Sequence, residues 1–211
     1  MRHGYARWAH PASNGMKKLL VATQNPGKVL EYKEILKELP IEVVTLQDIG
    51  VNEEAPEDAP TFEENAKLKV DFYSKFVDYP TIAEDSGLEI DYLNGEPGVK
   101  SRRWPGHRAT DDELVKIIME KMNGVPPEKR GAQFRVIMAL KIPGKESVAA
   151  EGILRGVITE KPIETIITGF PFRSMFFIPE IDKVLGEMTM NEEARIGHRK
   201  QALEKLLPLL L

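Results

Sequence analysis

A short apolar run that ends in two adjacent carboxylates constrains this chain more than any other feature: Thr81-Ile82-Ala83-Glu84-Asp85-Ser86-Gly87-Leu88-Glu89-Ile90-Asp91. Ser86-Gly87 is expected to break the run. Beyond it Leu88, Ile90 and Tyr92 alternate with Glu89 and Asp91, the period-two pattern of a strand with one wet face. Carboxylates at the exit of a buried strand are costly unless a cation meets them. A divalent metal is an economical partner, because hard oxygen ligands suit Mg²⁺. In isolation the tetrapeptide Glu-Asp-Ser-Gly reads equally well as a turn with solvated acids, so the rest of the chain has to decide.

The 211 residues suffice for one domain with a real core, or one with two lobes. A net charge of −4 argues against a protein that coats nucleic acid nonspecifically, though not against a local cluster of Lys and Arg. There is no cysteine, so neither disulfides nor thiolate metal sites arise. That fits a reducing compartment, and the cytoplasm is the expected location. No apolar run approaches the ~20 residues of a membrane span. Residues Met1–Gly15 are rich in His, Arg, Trp, Gly and Pro without periodicity. They read as a disordered extension, a tag remnant or the product of an upstream start, ahead of a single two-lobed domain over 16–211.

Two further patterns bear on chemistry. Leu19-Leu20-Val21-Ala22 feeds Thr23-Gln24-Asn25-Pro26-Gly27-Lys28, and a helix follows with Tyr32, Ile35, Leu36 and Leu39 at helical spacing. Strand, polar loop and helix N-terminus gather free N–H groups, the helix dipole and Lys28, a suitable place for phosphate. The Walker spacing is absent, and the same residues can serve only to make the turn. Farther on, Thr61-Phe62-Glu63-Glu64 has the form of a capping box, as does Thr110-Asp111-Asp112-Glu113. Lys67 and Lys69 read equally well as a solvated face. Residues 132–142 alternate cleanly, Pro143-Gly144-Lys145 turns, and a return strand runs to about Ile158, so two long antiparallel strands form a platform reaching away from the first sheet.

Four segments, in order, resemble one family. Thr23-Gln24-Asn25-Pro26-Gly27-Lys28 with Glu31 resembles T-x-N-x-x-K-x-x-E. Thr61-Phe62-Glu63-Glu64-Asn65-Ala66 with Lys69 resembles T-F-x-E-N-A-x-x-K. Ala83-Glu84-Asp85-Ser86-Gly87-Leu88 and Gly95-Glu96-Pro97-Gly98-Val99, with Ser101 and Arg102, resemble the central signature. His198-Arg199 with Ala202-Leu203 resembles the closing S-H-R-x-x-A-L. The family is that of the Ham1-like inosine/xanthosine triphosphate pyrophosphatases, and the likeness runs from about Lys18 to Leu207.

The resemblance implies an elongated α/β fold: a central mixed sheet with flanking helices and two lobes around an active-site cleft. It implies a homodimer and Mg²⁺-dependent hydrolysis of ITP, dITP and XTP to the monophosphate and pyrophosphate, a house-cleaning role in the nucleotide pool. Carried over residue by residue, Thr23, Gln24, Asn25, Pro26, Gly27 and Lys28 would cradle phosphates, with Lys69 as a further cation. Glu64, Glu84 and Asp85 would hold metal, with Asp85 also activating water. Ser86 would touch substrate, and Phe170, Phe172, Arg173, His198 and Arg199 would surround the base or its neighbouring phosphate. Replacing Arg199 is expected to change base discrimination more than the fold.

The chain departs from the family at the base-binding loop. Where the family has G-G-F-G-Y/W-D-P, this sequence has Thr168-Gly169-Phe170-Pro171-Phe172-Arg173-Ser174, so a glycine has become Pro171 and an acid Arg173. Five residues before His198, the family's phosphate-binding lysine is replaced by Glu193, and Gly197 replaces a serine. An acid beside a triphosphate is unfavourable unless Arg173 or Arg195 restores the charge. The phosphate half is therefore kept and the base half altered. A diverged pyrophosphatase for another nucleotide, or a nucleotide-binding protein without turnover, is the alternative reading.

Overall fold

The computed structural model describes residues 16–164 and 167–211. The expectations for Met1–Gly15 fall outside the described residues, as do Thr165 and Ile166 of the loop before Gly169.

Among the described residues, seven strands form one mixed sheet in the order β2-β1-β3-β4-β5-β6-β7. β1 (Lys17–Val21) is apolar where it lies between two parallel neighbours, β2 (Ile41–Thr45) and β3 (Thr81–Ile90). From β3 onward the pairing is antiparallel, through β4 (Gly131–Lys141), β5 (Val148–Ile158), β6 (Phe176–Ile178) and β7 (Lys183–Val184). The β4–β5 hairpin is thus continuous with the first sheet rather than a separate platform. Nor does Ser86-Gly87 interrupt β3, which pairs with β4 without a gap from Thr81 to Ile90. Gly87 is small for another reason: a Cβ there would lie 2.5 Å from the carbonyl oxygen of Gly98 and 2.8 Å from Ser101 Oγ. Among the described residues, no helix is long and apolar enough to cross a membrane.

Helices cover both faces. On one, Tyr32 and Leu36 of α1 (Pro26–Leu36) and Ala202, Leu203 and Leu206 of α5 (His198–Leu210) pack on Leu19, Val21, Val136, Met138 and Leu140. On the other, Phe62, Ala66, Val70 and Tyr73 of α2 (Phe62–Tyr73) pack on Leu20, Val44, Ala83, Ile137 and Ala139. A third cluster fills the far end of the sheet. There Leu114 and Ile118 of α3 (Asp111–Lys121) meet Leu88, Ile90, Leu154 and Phe176. Each such buried aliphatic side chain contributes roughly 1.5–3 kcal/mol. The clean alternation of β4 is as the sequence suggests, with Ala132, Phe134, Val136, Met138, Leu140 and Ile142 on one side.

The start of α5 is set by a close approach. A Cβ on Gly152 would stand 1.8 Å from the His198 carbonyl oxygen and 2.9 Å from the Ala202 backbone nitrogen. Backbone cannot yield as a side-chain tip can. Gly152→Ala is therefore expected to lower stability by about 1–3 kcal/mol, read as a lower urea midpoint at unchanged slope. An unchanged midpoint would mean that α5 is not seated against β5 in this way.

Candidate active site

Three distant segments meet beyond the end of β1: the loop before α1, the middle of β3 and the start of α5. The loop is held by its own side chains. Thr23 Oγ1 accepts from the Asn25 N–H at 3.2 Å, and Asn25 Oδ1 accepts from the N–H groups of Gly27 at 2.9 Å and Lys28 at 3.4 Å. Asn25 is thus the N-cap of α1, and Pro26 occupies the first turn, where its missing N–H costs nothing. Gln24 Nε2 donates to the carbonyls of Asn52 and Glu53, which ties the loop to the acidic segment ahead of α2.

The alternation of β3 decides what the adjacent acids can do. Side chains one residue apart on a strand point to opposite faces, so Glu84 and Asp85 do not share a site. Glu84 enters the α1/α5 face, fully buried among cations. Arg199 donates to it from Nε at 2.9 Å and Nη2 at 2.9 Å, and Lys28 Nζ stands 2.8 Å from Oε1. Tyr32 and Ser86 Oγ also donate to Glu84. Burial works against its ionisation, but Arg199 and Lys28 overcome that and hold the carboxyl well below the usual range. Arg199 continues the network to Glu31 Oε2 at 3.0 Å and to Ser86 Oγ at 3.2 Å. It is 3% exposed.

Asp85 enters the α2 face. Its Oδ1 accepts from Lys69 Nζ at 3.0 Å and its Oδ2 from Asn65 Nδ2 at 3.0 Å. Burial raises its carboxyl above the ordinary value, with Lys69 opposing. Lys69 Nζ also meets Glu57 Oε1 at 2.8 Å, so one ammonium bridges two carboxylates. Burial disfavours that ammonium, yet Asp85 and Glu57 together keep it charged.

The expected metal set of Glu64, Glu84 and Asp85 is accordingly not assembled. Glu84 is committed to an arginine and a lysine on the wrong face. Glu64 lies exposed at the first turn of α2, where Thr61 Oγ1 accepts from its N–H at 3.2 Å and donates to its carboxylate at 2.8 Å. Among the described residues, no three Asp, Glu, His or Cys side chains stand close enough to hold a metal by themselves. Mg²⁺ commonly takes only one or two carboxylates, with substrate phosphates and water completing its shell. Asp85 and Glu57 fit that more modest demand, since both already point at one cation.

Beyond Ser86 a cavity of about 160 Å³ opens toward the third cluster, lined in part by Asn25, Lys28, Phe134, Phe172, His198 and Arg199. Phe170 closes over the loop before α1 so tightly that a Cβ on Gly27 would lie 2.1 Å from its ring. The loop carrying Phe170 is pinned by Asp111 at the start of α3, whose Oδ2 accepts from the Gly169 N–H at 2.8 Å while Oδ1 pairs with Arg102 at 2.6 Å. His198 is buried and stacks on Phe134 with centroids 5.4 Å apart. Burial, with Arg199 beside it, holds the imidazole well below its ordinary pKa, hence neutral. Neither ring nitrogen has a hydrogen-bond partner among the described residues.

The two departures from the family pattern meet each other. Arg173 Nη2 lies 2.6 Å from Glu193 Oε1 and 3.2 Å from Glu31 Oε2, all three side chains buried. Arg173 therefore supplies the charge that Glu193 requires, while Arg195 faces solvent.

The sequence profile of the Ham1 family matches residues 19–209. The chain belongs to the Ham1 family. It is 42% identical over 195 residues to a Bacillus subtilis protein named dITP/XTP pyrophosphatase, spanning 92% of this chain and 98% of the relative. A Thermus thermophilus protein of the same name is 42% identical over 193 residues, spanning 92% and 91%. The fold superposes on the Ham1 protein of Staphylococcus aureus with a TM-score of 0.76 at 29% identity, covering 92% of this chain and 98% of that one. For the Coxiella burnetii HAM1 protein the TM-score is 0.77 at 32% identity, with the same coverage.

Within this Ham1 chain, sequence reasoning passed over several residues that the fold brings to the site. Glu57 lies in an acidic loop whose charges look alike until Lys69 selects one of them. Tyr32 looks like a core position at helical spacing, and its hydroxyl reaches Glu84. Asn65 was legible only as part of a motif; it fixes Asp85 and also exchanges hydrogen bonds with Ala59.

Proposed function

We propose that this chain hydrolyses ITP, dITP and XTP to the monophosphate and pyrophosphate, with Mg²⁺, as a cytoplasmic homodimer. The observation that carries the reading is the convergence of Lys28, Ser86 and His198 around one cleft, with Asp85 and Lys69 paired on the neighbouring face of β3, in a Ham1 chain whose relatives bear the name dITP/XTP pyrophosphatase. The dimer rests on the family resemblance, and the location on a cysteine-free sequence that fits a reducing compartment.

The loop from Thr23 to Lys28 receives the phosphates at the N-terminus of α1, where dipole and N–H groups favour anions. Lys28 is the more exposed partner of Glu84, at 20% against 3%. It can turn to a phosphate oxygen while Arg199 keeps Glu84 neutralised. Asp85 takes the proton of the water that attacks the α-phosphorus, and pyrophosphate leaves in line. Its raised pKa improves it as a base, and Lys69 and Asn65 fix its direction. Asp85 and Glu57 are the residues that would hold Mg²⁺, and the ion would supply charge neutralisation to the triphosphate. At the far end, neutral His198 offers one donor and one acceptor to the base between Phe170 and Phe172. It is better placed for this than Arg199, whose guanidinium is already committed to Glu84, Glu31 and Ser86.

Pyrophosphate release with Mg²⁺ across ITP, dITP, XTP, ATP, GTP, CTP and UTP tests the reading. The expected result is a kcat/KM for ITP and XTP at least about 100-fold above that for ATP, because a site of oriented polar groups rejects a base whose amino donor replaces a carbonyl acceptor. Release from a standard nucleotide alone would mean a rebuilt base pocket. Binding without release from any of them would make the protein a nucleotide sensor.

A further inference from the structure

Charge clusters lie on both faces of β3. On one, Glu84 and Glu31 pair with Arg199, and Arg173 joins Glu31 to Glu193 of the short helix α4 (Met190–Ile196). On the other, Asp85 of β3 and Glu57 of the acidic loop share one cation, Lys69 of α2. An ammonium has three donors. Three acceptors surround that of Lys69: Asp85 Oδ1 at 3.0 Å, Glu57 Oε1 at 2.8 Å and the Glu84 carbonyl oxygen at 3.2 Å. Two carboxylates and a carbonyl are also hard oxygen donors of the kind Mg²⁺ takes.

Asp85 has one oxygen to offer. Its Oδ2 accepts from Asn65 Nδ2 at 3.0 Å, and Asn65 is fixed in turn by the N–H and carbonyl of Ala59. What remains is Oδ1, the oxygen that Lys69 uses. Charge points the same way. A dication on these oxygens balances the two carboxylates without the ammonium. If the ammonium stayed, the two cations would stand a few ångströms apart where Lys69 is only 8% exposed, and they would repel. Arg103 provides a contrast. Its Nη1 donates at 3.2 Å to the backbone carbonyl of Glu57, so its charge lies beside the cradle without occupying a carboxylate oxygen.

We propose that Lys69 is a resident counter-ion that competes with the divalent ion for Asp85 Oδ1 and Glu57 Oε1, so that the nucleotide-free protein binds metal weakly. The inference rests on reading Asp85 and Glu57 as the residues that would hold Mg²⁺. Substrate phosphates offer Lys69 the acceptors it gives up, which couples uptake of the metal to uptake of the nucleotide.

The test is calorimetric titration of Mg²⁺ into nucleotide-free wild type, Lys69→Met and Arg103→Met, with melting temperatures and pyrophosphate release from ITP and XTP alongside. Lys69→Met is expected to bind Mg²⁺ about 10-fold or more tighter than wild type, as removal of a cation this close to the ion implies. Without metal it should melt below wild type, because two acids then share a site with no cation, and Mg²⁺ should return most of that loss. Arg103→Met removes an exposed, screened charge and should change the affinity by less than about 3-fold. Acetic anhydride labelling of wild type, read by peptide mass, needs no variant to fold. Lys69 should be protected without metal and acetylated about 10-fold or more faster in saturating Mg²⁺, once the ion has taken its acceptors. Equal Mg²⁺ affinity in wild type and Lys69→Met, an equal rise in Arg103→Met, or labelling that Mg²⁺ does not change overturns the proposal. Competition at Lys69 in a wild type that releases no pyrophosphate would sink the pyrophosphatase reading and leave this inference standing. Turnover without such competition would do the reverse.

Discussion

Asp85→Asn is expected to lower kcat for pyrophosphate release by about 10²–10⁴-fold, the usual worth of a positioned general base, while the nucleotide Kd stays within a few fold. The substitution is nearly isosteric and leaves the surroundings paired. Lys69 keeps Glu57 at 2.8 Å, and the other partner of Asp85, Asn65, retains its bonds to Ala59. A loss of kcat without a loss of binding therefore reports on the chemical step rather than on the fold. The pH profile gives an independent check. Burial raises the Asp85 carboxyl above its ordinary value. A base works ionised, so kcat/KM in wild type should fall in acid as Asp85 takes up a proton. The variant should lack this acid limb. Single-turnover release and calorimetry on the same protein decide the matter: normal turnover in Asp85→Asn would remove the assignment.

Much of this site was legible in the sequence because its chemistry is local. A cap such as Asn25 before Pro26 depends only on neighbours, and so does the loop it shapes. What escaped were relations between faces and between distant segments. Reading Glu84-Asp85 as a joint site assumed a turn at Ser86-Gly87. Once β3 runs through, alternation sends Glu84 to Arg199 and Asp85 to Lys69, and the two acids acquire opposite characters. One becomes a structural anion with a depressed pKa, the other a carboxyl with a raised one. Gly87 looked like a breaker because a glycine required by close packing against Gly98 and Ser101 is spelled the same as one required by a turn. Arg173 and Glu193 each looked like a defect, since only the fold brings residues 20 apart in sequence to 2.6 Å.

Replacing Arg199 reaches further than the sequence suggested. Arg199→Met is expected to lower stability by about 3–5 kcal/mol, the cost of leaving buried charge unpaired. For a chain of this size that corresponds to a fall in Tm of roughly 6–20 °C. The guanidinium touches Glu84 and Glu31, both fully buried, and Glu31 Oε1 has no partner among the described residues even with Arg199 present. Lys28 remains to Glu84 and Arg173 to Glu31, which keeps the loss from being total. The sign with pH separates charge from packing. The Glu84 carboxyl is depressed in the folded state, so its contribution is present above the ordinary carboxyl pKa and is lost as pH falls through the depressed value. The gap in Tm between wild type and Arg199→Met should therefore be widest near neutrality and narrow in acid. Glu193 pulls the other way. Burial and Glu31 raise its carboxyl to about 7, so its contribution is present below the ordinary carboxyl pKa and is lost as pH rises through about 7. Arg199 itself opposes that rise, so Arg199→Met raises the Glu193 carboxyl further and adds to the gap near neutrality. Adding Glu84→Gln to Arg199→Met removes one stranded charge and should return part of the lost Tm. A gap that stays constant from neutral to acid pH, with no recovery in the double variant, would mean that Arg199 holds α5 by packing alone and that the buried charge network is not what fixes Ser86 and Lys28 at the mouth of the cleft.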